Sequence, residues 1–273
     1  MTHSRKTNLF AVTAVVLFSG IKSSFAHDLW IVPPETAIPN KTVQVQALSG
    51  MDFPISVNTS DPSKYLRRLL LQPDGAQGKI ESAGTSENVG FLDFTPVDAG
   101  VHVVAVQTTP KLITLEADEF NAYLVSDGLP NIYRLRSEEK TLDQPGRERY
   151  SKSPKALIQV GTGGGGDPSI VVGLPLEIIP LDNPFHLRIG GTFRVRVLFH
   201  GQPLPDANLG WDHPGDGAPP SGTVRTNSEG EAMIPIEKLG LVSIRLTHMI
   251  RPNADDYEWE SFWTTLTFRI PQG

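Results

Sequence analysis

The chain contains no cysteine. That excludes disulfides, thiolate metal sites, iron–sulfur clusters and cysteine-based nucleophilic catalysis at once. Any metal it holds must be bound through nitrogen and oxygen. It also lacks a second long apolar run. The one near the N-terminus falls short of the roughly 20 residues a spanning helix needs, so no membrane span is expected in the mature chain. Positive charge is in deficit, with 24 Lys and Arg against 30 Asp and Glu and a formal net charge of −6. An acidic chain repels a phosphate backbone, so nucleic acid is not an expected partner. No G-x-S-x-G elbow presents a serine nucleophile. A Ser/His/Asp set assembled from distant positions stays open at this level.

What is present begins with a leader. Arg5 and Lys6 precede an apolar run from Leu9 to Ile21, followed by Ser24-Phe25-Ala26 with small residues at the −3 and −1 positions. This pattern predicts a secretory signal peptide over residues 1–26, cut between Ala26 and His27. The cut removes Arg5, Lys6 and Lys22 and moves the formal charge from −6 to −9. Export without cysteine suits a bacterial periplasm, where disulfides are optional. Cleavage makes His27 the first residue, and its freed α-amine and imidazole close a chelate ring suited to nickel, cobalt, copper or zinc. The competing reading is that His27 merely comes after the cut.

Beyond His27, 25 Gly and 23 Pro punctuate alternating apolar segments. Lys41 to Leu48, Arg67 to Leu71, Val89 to Phe94 and Gly100 to Gln107 read as short strands separated by turn signals. From Thr114 the period changes. Leu115, Phe120, Tyr123 and Leu124 fall on one helical face, Asp127-Gly128 stops it, and a second helix runs from Leu129 to about Lys140. Strands resume at Ala156 to Val160. The proline-marked stretch from Leu174 to Pro180 reads as a stiff connection. Thr192 to Phe199, Asn208 to Trp211, Glu231 to Ile236, Val242 to Met249 and Trp263 to Ile270 then give a second set of strands. The predicted fold is mainly β. Two β-sandwich domains are expected at 27–185 and 186–273, the first with a helical insertion near 114–155 and the second immunoglobulin-like or transthyretin-like.

Several motifs compete for function. Gly161-Thr162-Gly163-Gly164-Gly165-Gly166 matches G-x-G-x-x-G after a strand, but it runs into Asp167-Pro168 and a β-branched run instead of a helix. It is read as a flexible loop and not a dinucleotide site. His102 reads as a half-buried strand residue. Asp212-His213-Pro214-Gly215-Asp216 mixes ligand types in what reads as a turn. Asp255, Asp256, Glu258 and Glu260, interleaved with Tyr257 and Trp259, form either an acidic, aromatic-edged mouth or a solvated loop.

Three blocks together resemble a family of exported proteins carrying a domain of unknown function and often labelled a periplasmic component of cobalt or nickel uptake. They are Ala26-His27-Asp28-Leu29-Trp30; Phe120-Asn121-Ala122-Tyr123-Leu124 with Gly146-Arg147-Glu148-Arg149-Tyr150-Ser151; and Trp259-Glu260-Ser261-Phe262-Trp263-Thr264-Thr265-Leu266-Thr267-Phe268. The resemblance implies export, two β domains and a transition-metal ion, nickel or cobalt with copper or zinc as alternatives, passed to an inner-membrane importer. By motif it makes His27 and His248 metal ligands. Asp28 or Glu260 would complete a nitrogen–oxygen shell in which His27 and His248 meet across the domain junction. The alternatives are a copper oxidase of histidine-brace type, with Trp30 or Tyr257 beside the metal, and a non-catalytic structural or ligand-recognition module.

Overall fold

The computed structural model describes residues 27–214 and 221–272. The expected leader, its cleavage point and Gly215-Asp216 lie outside them. The chain is mainly β, and its described residues form strands in three sheets and two α-helices. Alternation builds the strands as the sequence predicts. In Val43–Gly50, Val43, Val45 and Ala47 are buried between exposed Gln44 and Gln46, and in Thr192–Phe199 the inward set is Phe193, Val195 and Val197.

A five-stranded sheet orders Asp28–Val32, Val43–Gly50, Val89–Phe94 and Glu81–Ser86, with Asn58–Thr59 on the second strand. A four-stranded sheet holds Leu176–Pro180, Thr192–Phe199, Gln202–Pro203 and Glu231–Pro235. Between them runs a ten-stranded sheet contributing one face to each of two cores. Val104, Val106, Ala156 and Ile158 pack toward Leu29, Val45 and Leu92. Val103, Leu157, Phe262, Leu266 and Phe268 pack toward Ile178, Phe193 and Val195. The two sandwiches therefore share a layer. The last strand, Trp259–Ile270, ties them together, pairing with Gly240–Ile250 on one side and with Gly146–Lys152 and Lys155–Val160 on the other. Leu176–Pro180 is not a connector but a buried strand paired with Thr192–Phe199, because its prolines sit at its margins and leave the ladder intact.

Helices α1 (Ala117–Ser126) and α2 (Pro130–Glu138) form the insertion. They bury Phe120, Tyr123, Leu124 and Ile132 against Trp259, Trp263 and Met249. Gly128, at φ +74°, ends α1, and a Cβ there would lie 2.7 Å from the Asn208 side chain. Glycine thus permits both the left-handed turn and the close approach of the helix end to Asn208–Asp212.

The glycine-rich segment is a loop, but a packed one. Gly165 accepts the Val101 amide at 2.9 Å, Gly161 donates to Ala37 at 2.8 Å and Gly163 accepts from Gln159 at 2.8 Å. At Gly164, φ +88°, a Cβ would stand 2.5 Å from the Ala99 carbonyl oxygen. The glycines allow backbone to approach backbone, which neither a flexible linker nor a phosphate cradle describes.

Lys155 and Glu177 form an ion pair across the two halves at 3.0 Å, each side chain 1% exposed. Glu177 also accepts the amides of Val172, Gly173 and Leu174 at 2.9–3.2 Å. Burial pulls the Lys155 ammonium below its usual pKa, while Glu177 works in the opposite direction. The carboxylate anchors the segment after the glycine loop as well as the lysine, so its loss orphans four donors. Glu177→Leu is expected to destabilise by about 3–5 kcal/mol in urea unfolding. Lys155→Met should cost clearly less, because Glu177 keeps three amide donors. Equal losses would contradict the anchoring role.

Candidate functional site

Strand alternation decides where the predicted ligands go. On Trp259–Ile270, residues 259, 261, 263, 265 and 267 face the N-terminal strand and the helices. Thr265 and Thr267 hydroxyls donate to the carbonyls of Leu29 and Ile31, and Trp259 and Trp263 meet α1. Residues 262, 266 and 268 face the C-terminal core. His248 pairs in register with Phe262 and packs on Phe199 at 4.6 Å between ring centroids. It therefore lies on the opposite face from His27. Burial, and then the charge of nearby His200, lowers its pKa. Glu260 shares the His248 face and is taken up by Arg149. The shell drawn from His27 and His248 together with Asp28 or Glu260 does not assemble, because a sheet separates the two histidines.

His27 and Asp28 are neighbours but diverge, as successive residues of an extended chain do. The His27 Nδ1 lies 2.9 Å from Asn58 Nδ2. Its carbonyl receives the Lys152 ammonium. Partial burial, and then the Lys152 charge, holds the imidazole below its ordinary pKa and so keeps it neutral. Asp28 turns the other way, toward Arg245. Burial pushes its carboxyl up to about 6 against the pull of Arg245 and Lys152.

Arg245 on Gly240–Ile250 is the hub of this second cluster. Its Nε stands 3.8 Å from Asp28 and 3.9 Å from Asp212, and its Nη1 3.9 Å from Asp127. One guanidinium thus serves three carboxylates, all beyond direct hydrogen-bonding distance. Asp127, at the C-cap of α1, is raised to about 7, first by burial and then by Asp28. Among the described residues, no three His, Asp or Glu side chains converge on a common metal position.

The strand that carries Lys152, Gly146–Lys152, also buries a polar chain. Glu148 accepts from the Ser261 and Tyr123 hydroxyls, and Trp263 Nε1 donates to Ser261 Oγ at 2.9 Å. Glu148 is 1% exposed, and burial lifts its carboxyl to about 7 in spite of those donors. Burial likewise brings the Lys152 ammonium down to about 8, with Asp28 opposing. Asn58, Asp127, Glu148, Lys152, Arg245 and Ser261 were not legible as a group. Only Glu148 and Ser261 lay within resemblance blocks, and no spacing links the six.

The other candidates resolve differently. Trp30 is fully buried against Phe53, and Tyr257 lies over Arg149, so each is committed elsewhere than at His27. Glu258 and Glu260 are paired by Arg147 and Arg149 and form no open acidic mouth. His102 is fully buried, not half-buried, with Nδ1 3.2 Å from the Gly100 carbonyl oxygen. His213 is also buried, its Nδ1 3.2 Å from the Lys238 carbonyl oxygen.

The chain belongs to the family defined by the domain of unknown function DUF4198, whose model matches residues 24–250. No curated protein matches the sequence. Among solved structures, a mutant of Salmonella alpha-2-macroglobulin aligns over 91% of this chain at 11% identity, with a TM-score of 0.21. The chain spans 16% of that protein's length.

Glu148 makes stability depend on pH. Its folded pKa lies above the ordinary carboxyl value, so its contribution is fully present below about pH 4.5 and is lost as pH rises through about 7. Glu148→Gln keeps an acceptor for Ser261 and Tyr123 without the charge. Relative to wild type, its melting temperature should rise progressively between pH 5 and pH 8. A pH-independent difference would show that Glu148 is ionised throughout.

Proposed function

We propose that this DUF4198 protein is exported to the periplasm and binds a transition-metal ion, nickel or cobalt, at the start of its mature chain, for delivery to an inner-membrane importer. The observation that carries this reading is the state of His27. Its imidazole is held neutral and near the surface, while its own carbonyl is pinned by Lys152. The adjoining strand, Asp28–Val32, is fastened to the sheet by Thr265 and Thr267. Cleavage before His27 would add a free amine to this rigid base, and amine plus Nδ1 closes a chelate ring of the kind borderline divalent metals accept. Asn58 must release Nδ1 as the metal enters. Because both groups are surface-accessible, that exchange costs little.

Lys152 opposes the metal, but its depressed pKa makes its charge easier to shed. The histidine-brace oxidase has no comparable support, since His248 lies across the sheet from His27.

The test is calorimetric titration of nickel, cobalt and copper into protein beginning at His27. His27→Ala, and a Met added ahead of His27, should each weaken binding by at least about tenfold, or about 1.4 kcal/mol. His248→Ala should bind as wild type does, because a sheet separates it from the chelate. Affinity should fall as pH drops below about 8, where the amine gains its proton, and the imidazole should compete only below its ordinary value of about 6.5. Equal binding by wild type and His27→Ala, or strong loss in His248→Ala, would overturn the site.

A further inference from the structure

Arg136, in the last turn of α2, is 2% exposed, yet among the described residues it has no carboxylate within ion-pair distance. The acidic groups near it are taken. Glu139 accepts both Nη atoms of Arg251 at 2.6 and 2.7 Å, and Glu258 faces Arg147 at 3.4 Å. Burial, the largest influence, disfavours the Arg136 charge. Glu258, Asp143 and Glu139 favour it only from beyond ion-pair distance, and Arg251 opposes. Neutral groups hold two of its three nitrogens. Nε donates to Asn121 Oδ1 at 3.2 Å, and Nη2 donates to the carbonyls of Thr141 and Gln144 at 2.7 and 2.6 Å, which leaves Nη1 without an acceptor among the described residues. Phe120, 4.9 Å from the guanidinium, adds a cation–π contact but accepts no ordinary hydrogen bond. A charge withdrawn from water is ordinarily paired, because desolvation is offset only by an opposite charge or by full hydrogen bonding. The same guanidinium walls a cleft of about 290 Å³ between α2 and the turn over residues 251–258. Trp259 forms another wall. It is 1% exposed, and its Nε1 is buried with no hydrogen-bond partner among the described residues. Two residues of one cleft, from different elements, thus each keep an unused donor.

We infer that this cleft binds a small monocarboxylate with a flat apolar body, its carboxylate accepting from Arg136 Nη1. Guanidinium and indole nitrogens donate and do not accept, so a molecule that satisfies them must bring acceptors. That selects an anion over a cation, and a carboxylate oxygen on Nη1 makes a charge-assisted bond. Beyond the charge, Pro252, Ala254 and the rings of Tyr257 and Trp259 offer apolar surface to the rest of the molecule. The volume lies at the lower end of small-molecule pockets, about 300 Å³, which suits a ligand the size of benzoate. Glu258 in the wall repels a second negative charge, and Nε and Nη2 of Arg136 are already engaged. One charge is therefore bound in preference to the two of phosphate or of a dicarboxylate. No wall of the cleft belongs to the metal chelate, so the two sites can fail separately.

The experiment titrates ¹⁵N-labelled protein beginning at His27 with benzoate, acetate and inorganic phosphate in turn. Benzoate should bind saturably and shift the indole N–H signal of Trp259, identified as the one lost in Trp259→Phe, together with the amides of Thr141, Gln144 and Ala254. Acetate, which lacks the apolar body, and phosphate, which carries the second charge, should each bind at least about tenfold more weakly. Arg136→Gln should weaken benzoate at least about tenfold, the loss of one charge-assisted contact. Arg136 also clamps the turn at 141–144, so where that variant melts early the test passes to Ala254→Phe, which fills the cleft and leaves the guanidinium in place. It should abolish benzoate binding. The proposal is overturned by any of three results: no saturable binding of benzoate, wild-type affinity in Ala254→Phe or in a folded Arg136→Gln, or binding of acetate or phosphate as tight as that of benzoate.

Discussion

The alternation of side chains along Trp259–Ile270 is the constraint on which the rest of this structure depends. One strand supplies Phe262, Leu266, Phe268 and Ile270 to the C-terminal core. Its other side presents Trp259, Ser261, Trp263, Thr265 and Thr267 to the N-terminal strand and the helical insertion. A period of two leaves no alternative, for shifting the strand by one residue would turn its polar set into one core and its apolar set toward the chain start. Both sandwiches are therefore built on the same layer, and their registers are coupled. The buried pair of Lys155 and Glu177 closes the same junction from the other side, linking Lys155–Val160 to Leu176–Pro180.

That constraint also places the chemistry. The face toward the chain start carries Glu148, Lys152, Ser261 and Arg245, all partly or wholly withdrawn from water. Their mutual perturbation arises from burial. Carboxyls rise toward neutrality and Lys152 falls toward it, because few donors and cations replace the lost solvent. The cost of this layer is offset by the apolar clusters around it, where Phe120, Tyr123 and Trp263 exclude water from above.

Local signals were legible to the extent that they act locally. The Val43–Gly50 and Thr192–Phe199 strands are dictated by alternation, and α1 by the spacing of Phe120, Tyr123 and Leu124 with Gly128 as its stop. The glycine run was legible as a loop, because Asp167-Pro168 and the β-branched residues after them do not continue it as a helix. Its packing against Ala99 and Val101 was not, since those partners lie far back in the chain. Leu174 to Pro180 misled for a similar reason. Its prolines signal a connector, but Leu176, Ile178 and Ile179 find a partner strand and a core that only the fold supplies.

By itself, the sequence determined the chemistry this protein has at its disposal: no thiol, an excess of acidic residues, mainly β structure with one helical insertion, and a histidine shortly after its one long apolar run. Tertiary structure alone decided which of these groups meet. His27 and His248 look like equivalent ligands in one dimension, yet the pairing of His248 with Phe262 turns it toward Phe199 and puts a hydrogen-bonded sheet between the two histidines. Asp28, Asp127, Asp212 and Arg245 are scattered over most of the chain and share no spacing. They gather because the glycine at the end of α1 admits Asn208 and because the last two strands bring Arg245 beneath the first. Side-chain convergence of this kind is set by sheet order and register, which depend on all the strands together and are written in no single stretch of the chain.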